Sequence, residues 1–390
     1  MFYQLPPVGN PVCLRATGTA DPLASDMFPT FGSRYFGSGT AALAAAVTVA
    51  IRMARQEHPE VIIPAYGCPD LVSAVLYAGA KPVLVDLQPE RPWMDLNRLS
   101  SCMGARTVAI IAVDLLGIPE RLAEIRKLAG NASVLLIEDS AQAFPVHVTE
   151  TCWSGDLVVL SFGRGKPVNL LGGGAVLYRD TLLGDALAKV AAEPHAARIR
   201  KVGFRLKTAI YNRLRSPRLY WILQDLPFLH LGETRFRPLT GISGMDEYRL
   251  GLLSANIEAY RDSGSSVQDA VTRMIAELAG NGEQLLDLPD VCGISRNQRL
   301  LRYPLLIARD QRDRIYKELR DAGMGPSRMY PSPLPDITGL QALLTGQGRF
   351  PNAEDFAARI LTLPTHDRVA LADISRFRRI LSSLRAGFVV

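Results

Sequence analysis

The sequence predicts an α/β protein, with a mostly parallel, doubly wound sheet in a large domain and a smaller α+β domain at the C-terminus. Three observations carry this expectation. Residues 61–65, 82–86, 108–113 and 134–138 are runs of Val, Ile and Leu with little polar alternation, which suits strands buried on both faces of a parallel sheet. Helical stretches separate these runs, as the crossovers of a parallel sheet require. A chain of 390 residues is also long enough to bury a substantial core and divide into two domains.

The elements follow in order. A short strand leads through Gly37-Ser38-Gly39-Thr40 into an Ala-rich helix over 40–55. After the four apolar runs, with a helix expected over 118–128, come strands at 157–161 and 175–178. A longer helix is expected from Glu247, with Leu250, Leu253, Ile257 and Tyr260 on one face, and a second from Val267 toward Leu286. A strand at 302–307 and a helix at 311–322 belong to the small domain. The division falls at 1–245 for the large domain and 246–390 for the linking helices and small domain. No internal repeat or low-complexity tract interrupts this order.

Three short segments carry chemistry. In Ser161-Phe162-Gly163-Arg164-Gly165-Lys166, a lysine follows an apolar strand and precedes Gly172-Gly173-Gly174. A lysine amine can form a Schiff base with an aldehyde, and a hydroxyl with backbone N–H groups can hold a phosphate. Asp139, in Glu138-Asp139-Ser140-Ala141-Gln142-Ala143, falls at the carboxyl end of a strand, where open α/β sheets place ligand groups. Gly39 and Thr40 open a helix whose N-terminal amides can bind phosphate. Each segment also has a purely structural reading, as a solvated loop lysine, a helix-capping aspartate and an ordinary helix start.

Taken together and in this order, the segments resemble those of the DegT/DnrJ/EryC1/StrS family of sugar aminotransferases, which use pyridoxal 5'-phosphate (PLP) on a type I fold. Further matches are Val61-Ile62-Ile63-Pro64-Ala65-Tyr66, Gly79-Ala80-Lys81-Pro82-Val83-Leu84-Val85-Asp86 and Gly155-Asp156. Near the C-terminus, Phe350-Pro351-Asn352-Ala353-Glu354 and Leu361-Thr362-Leu363-Pro364-Thr365-His366 are similar to the family's closing motif. The resemblance implies that Lys166 holds PLP covalently and then shuttles the proton as general acid and base. It implies that Asp139 pairs with the pyridine nitrogen, that Gln142 lies near the phenolic oxygen, and that Gly39, Thr40 and Ser161 hold the phosphate. Tyr66 is expected to border the ring, although the usual stacking position aligns better with Cys68.

The implied reaction moves an amino group, from glutamate, to a keto group on a nucleotide-linked sugar, in the making of polysaccharide or glycan precursors. A non-sugar keto substrate or a PLP-binding regulator without catalysis is the alternative. Dehydratase relatives replace the lysine by histidine, so Lys166 argues against that chemistry. A homodimer is expected, since type I sites are completed across a subunit interface. Two departures bear on this. The family's asparagine that reaches the neighbouring subunit's phosphate is replaced by the row Gly241-Ile242-Ser243-Gly244-Met245, and Asp114 stands where histidine is frequent.

Charge is local. Residues 195–240 contain ten Lys or Arg against Asp225 and Glu233, a formal balance of +8, whereas the whole chain carries +6. Apolar and aromatic residues interleave with them, including Leu219, Tyr220, Trp221, Ile222, Leu223 and Phe228. Three readings stay open: peripheral contact with an anionic membrane, a rim that attracts an anionic substrate, and a solvated subunit contact. No recognised nucleic-acid module accompanies the charge. Five scattered cysteines, Cys13, Cys68, Cys102, Cys152 and Cys292, show no metal-ligand spacing and read as reduced thiols of a cytoplasmic protein. Neither a signal peptide nor a bilayer-spanning apolar run is expected.

Overall fold

A computed structural model describes residues 3–16, 18, 21–24, 27–130, 134–147, 152–191, 199–224, 234–279 and 284–384. Seven strands form the large sheet: β1 (Gly32–Phe36), β2 (Glu60–Pro64), β3 (Lys81–Val85), β4 (Thr107–Val113), β5 (Leu135–Asp139), β6 (Leu157–Ser161) and β7 (Gly174–Tyr178). Their spatial order is β1-β7-β6-β5-β4-β2-β3. Pairing is parallel from β6 through β3, and β7 runs antiparallel to both neighbours. The sheet is therefore mixed, with one reversed strand that the sequence pattern did not distinguish.

Apolar side chains on successive residues point to opposite faces, so a continuous run supplies two cores at once. Ile63, Ile111 and Ile137 face the main core, while Ile62, Ile110 and Leu136 face a second cluster. The helix Gly39–Ala54 packs on the first face, where Ala41, Ala42, Ala44, Ala45 and Ala46 let it approach the sheet closely. Ser38 caps it, its hydroxyl accepting from the Ala41 amide at 3.1 Å. Arg55 ends it in a left-handed conformation at φ 50°. On the other face, Phe28, Phe144 and Trp153 meet Val158 and Leu160 of β6.

The smaller sheet has the order β10-β9-β8, all antiparallel: β8 (Leu285–Asp287), β9 (Tyr303–Ile307) and β10 (Ile360–Leu363). Helices Arg309–Asp321 and Pro351–Arg359 connect its strands.

Three expected helices are corrected. The one expected over 118–128 begins at Leu122, after a single turn at Leu115–Gly117 in which Leu116 and Gly117 take positive φ. Pro119 lacks an amide proton and restricts the residue before it. The one expected from Glu247 is two pieces, Glu247–Leu250 and Leu253–Asp262, broken at Gly251, a poor helix former. The one expected to run toward Leu286 ends at Ala279, and Leu285 and Leu286 pair with β9 instead. Strand pairing there overrides local helix pattern.

Part of the basic segment, residues 195–198 and 225–233 with Phe228, lies outside the described residues. Most of the rest forms the helices Lys201–Leu214 and Pro217–Gln224, and residues 234–240 are neither helix nor strand. Among the described residues no helix is long and apolar enough to cross a membrane.

Candidate active site

The parallel strands end along one edge of the sheet, which brings distant residues together. Val113 at the end of β4 is level with Asp139 at the end of β5, and Asp139 is level with Val159, two residues before Ser161 ends β6. Gly39, Thr40, Asp139, Gln142, Ser161 and Lys166 all line one cleft. The structure thus gathers six of the residues singled out in the sequence.

Gly39 must be glycine. A Cβ there would stand 2.6 Å from both Cβ and Oγ of Ser161, so the helix N-terminus could not approach the end of β6. The same closeness shows at Gly174, where a Cβ would meet the Ser38 carbonyl oxygen at 2.7 Å. Thr40 donates its hydroxyl to Asp70 Oδ2 at 2.8 Å, and Asp70 itself lines the cleft. Amides at the start of a helix and a nearby hydroxyl form a phosphate cradle.

The loop that carries Lys166 is tied down from several sides. Phe162 donates to the Gly173 carbonyl at 2.9 Å and accepts from the amides of Leu170 and Gly172. Leu171, Gly172 and Gly173 all have positive φ, a sequence of turns that only glycines make without strain at two of the three positions. Asn10 Nδ2 donates to the carbonyls of Lys166 and Pro167 at 3.3 and 2.7 Å. Asn169 Nδ2 in turn donates to the Asn10 carbonyl at 3.1 Å. Neither asparagine stood out in the sequence, because each acts through a partner about 150 residues away or through the other.

Asp139 is buried, and burial pushes its carboxyl above the usual range while the charge of Lys166 opposes that rise. Its Oδ1 accepts from the Ala141 amide at 3.1 Å, and a turn rather than a helix follows, so the helix-cap reading does not apply. Gln142 is held at both ends. Its Oε1 accepts from the Leu116 amide at 3.0 Å, and its Nε2 donates to the Tyr330 hydroxyl at 2.9 Å. Tyr330 was missed in the sequence, and burial raises its phenol well above the ordinary value.

Tyr66 departs from expectation. It is not brought to the cleft: its ring packs edge-on against Tyr330 and Phe356, and its hydroxyl donates to the Tyr330 carbonyl at 3.0 Å. Cys68 lines the cleft instead, its thiol pushed up to about 12 by burial. The bend between β2 and the helix Asp70–Tyr77 decides this, because two residues along a turn face different directions. Asp114 is buried and does not line the cleft, accepting from Ser140 Oγ at 2.8 Å and the Glu120 amide at 3.1 Å. The row 241–245 is stitched to the helix start, with Gly37 donating to the Ser243 carbonyl at 2.7 Å.

The cleft fits PLP. The glycine-lined helix start would receive the phosphate, the buried Asp139 would meet the ring nitrogen, and Lys166 would supply the amine.

Residues 35–219 and 230–382 match the DegT/DnrJ/EryC1/StrS aminotransferase family. The chain is 23% identical to the UDP-2-acetamido-2-deoxy-3-oxo-D-glucuronate aminotransferase of Pseudomonas aeruginosa, across 81% of this chain and 76% of that one. It is 28% identical to the dTDP-3-amino-3,4,6-trideoxy-alpha-D-glucose transaminase of Micromonospora megalomicea subsp. nigra, across 76% and 70%. Its fold resembles that of the sugar aminotransferase CalS13 from Micromonospora echinospora, with a TM-score of 0.71, 19% identity and coverage of 97% and 99%.

Proposed function

Because this chain belongs to the DegT/DnrJ/EryC1/StrS aminotransferase family, we propose that it transfers an amino group from glutamate to a keto group of a nucleotide-linked sugar. The observation that carries this reading is the meeting of Lys166 and Asp139 in one cleft with the helix start at Gly39 and Thr40. Support for the substrate class comes from the relatives, whose names specify UDP- and dTDP-linked sugars.

PLP, when bound, supplies an aldehyde that accepts the amino group and a ring that draws electrons from the reacting carbon. Every other task falls to the chain. Lys166 Nζ would move a proton between the substrate carbon and the cofactor's C4′, outward from the carbon of the amino donor and back onto the carbon of the sugar that receives the amine. Asp139 holds a proton on the ring nitrogen by presenting a carboxylate in a buried setting, where pairing with a cation restores the ionised form that burial alone disfavours. Gln142, fixed between Leu116 and Tyr330, presents a side chain that cannot swing away.

The same reading includes a homodimer, a cytoplasmic setting, a role in glycan precursor synthesis, and a division between the cofactor domain and the small domain near residue 245. The two sheets support that division, since strands of the first all lie before residue 179 and strands of the second after residue 284. The test is incubation of the PLP form with a panel of nucleotide-linked keto sugars and several amino donors, with products read by mass spectrometry. Amination of a nucleotide-linked sugar is the expected result. Amination confined to free keto acids or cyclitols would reject the substrate class.

A further inference from the structure

We propose that the helix Lys201–Leu214 docks on an anionic lipid surface, with Val202, Leu206 and Ile210 inserted among the lipids and Arg205, Lys207 and Arg213 against the headgroups. The proposal does not depend on the reaction.

The inner face of this helix is already occupied. Phe204 is buried, with its ring 5.6 Å from that of Tyr248 and the Arg249 guanidinium 5.2 Å from its centre. Asn212 accepts from the Val12 amide at 3.0 Å and donates to the Val12 carbonyl at 2.9 Å. The Tyr211 hydroxyl accepts from Asn169 at 2.9 Å. These contacts set the rotation of the helix about its axis. What faces outward does so because the body of the protein holds it there.

The outward face is apolar along its middle. Val202, Leu206 and Ile210 are 80%, 62% and 50% exposed. They are spaced four apart, so they fall within an arc of about 80°. A single exposed apolar residue needs no explanation, but three aligned on one helix face do. Helical spacing sets Arg205 on one side of this stripe and Lys207 on the other, with Arg213 near its middle.

Charge selects the occupant. Residues 199–224 contain seven Lys or Arg and no Asp or Glu. A second copy meeting this face about a two-fold axis would set cations against cations, because such a contact is made by the same patch on both subunits. Lysine is also depleted at the cores of protein interfaces. An anionic lipid surface satisfies both features. The apolar stripe enters the acyl boundary, and the long stems of Lys and Arg follow it while their charged heads stay among the phosphates.

The test uses the full-length holoenzyme with vesicles of phosphatidylcholine alone or mixed with phosphatidylglycerol, in cosedimentation at low and high salt, and light scattering without lipid. Wild type should bind only the anionic vesicles and release as salt rises. Arg205→Glu/Lys207→Glu/Arg213→Glu should bind at least about a hundredfold more weakly, since each cation near such a surface contributes roughly fivefold. Val202→Ser/Leu206→Ser/Ile210→Ser should also bind more weakly, and what binding remains should vanish at high salt. Both variants should keep the mass of the wild type in light scattering. Equal sedimentation with neutral and anionic vesicles, or none at low salt, overturns the proposal. So does a lower mass for the serine variant, which would make the stripe a subunit contact.

Discussion

In the cofactor cleft, Gly39, Asp139 and the pair Ser161 and Lys166 arrive from three separate segments of the chain and line one hollow. Along the helix Lys201–Leu214, the cations and apolar residues come from one segment and face outward. The first arrangement depends on every strand that delivers a residue. The second depends only on helical periodicity and on a few contacts that fix its rotation. Sensitivity to substitution should follow the same division, with steep losses of turnover in the cleft and nearly none on the helix face.

The largest loss is expected at Lys166. Lys166→Ala should remove the covalently held, borohydride-reducible cofactor and lower amino transfer by about 10⁴-fold, the upper range for losing a positioned acid and base. A reducible adduct that persists at the active site would assign the amine elsewhere. Asp139→Asn should still bind PLP but turn over about a thousandfold more slowly, because an amide does not keep the ring nitrogen protonated. Its KM for the amino donor should change far less than kcat. Equal turnover would mean that another group meets the ring nitrogen.

A smaller effect sharpens the comparison by reaching the cleft from outside. The Asn10 side chain donates to the backbone of Lys166 and Pro167, so Asn10→Ala should lower kcat by about tenfold, the worth of one or two lost hydrogen bonds, with the cofactor still bound. Unchanged turnover would show that the loop is held well enough by Phe162 and Asn169.

His366 gives a pH test of the same N-terminal segment. Its Nε2 donates to the Pro6 carbonyl at 2.8 Å and its Nδ1 accepts from the Arg368 amide at 3.2 Å, so the ring fits only when neutral. Burial lowers its pKa from 6.5 to about 4. Between those values the unfolded chain binds the proton and the folded chain does not, so stability is full above about 6.5 and falls as pH drops toward about 4. The Tm of His366→Gln should fall less than that of wild type over this window. Parallel curves would place the acid sensitivity elsewhere. The smallest effect is expected from Val202→Ser/Leu206→Ser/Ile210→Ser, whose turnover in solution should stay within about twofold of wild type, as for surface changes generally. A large loss would erase the contrast between the two regions.

Much of this was legible along the chain. The unbroken apolar runs announced strands buried on both faces, since a residue period of two puts neighbours on opposite sides and both sides needed apolar groups. Asp139 and Lys166 were legible because each follows such a run, and the ends of parallel strands share one edge. The basic, partly apolar character of residues 195–240 was legible from composition, but the helix Lys201–Leu214 and the face it turns outward were not. Tyr330, Asn10 and Asn169 were not, because their roles consist of contacts with residues far away in sequence, and no local pattern encodes a partner. The direction of Tyr66 was also hidden. Whether Tyr66 or Cys68 enters the cleft depends on the bend after β2 and on the space that Tyr330 and Phe356 leave, and those are set by packing between parts of the chain some 260 residues or more apart. Periodicity and strand-end position are local properties of a sequence, while the choice between two neighbouring side chains belongs to the folded surroundings that admit one and exclude the other.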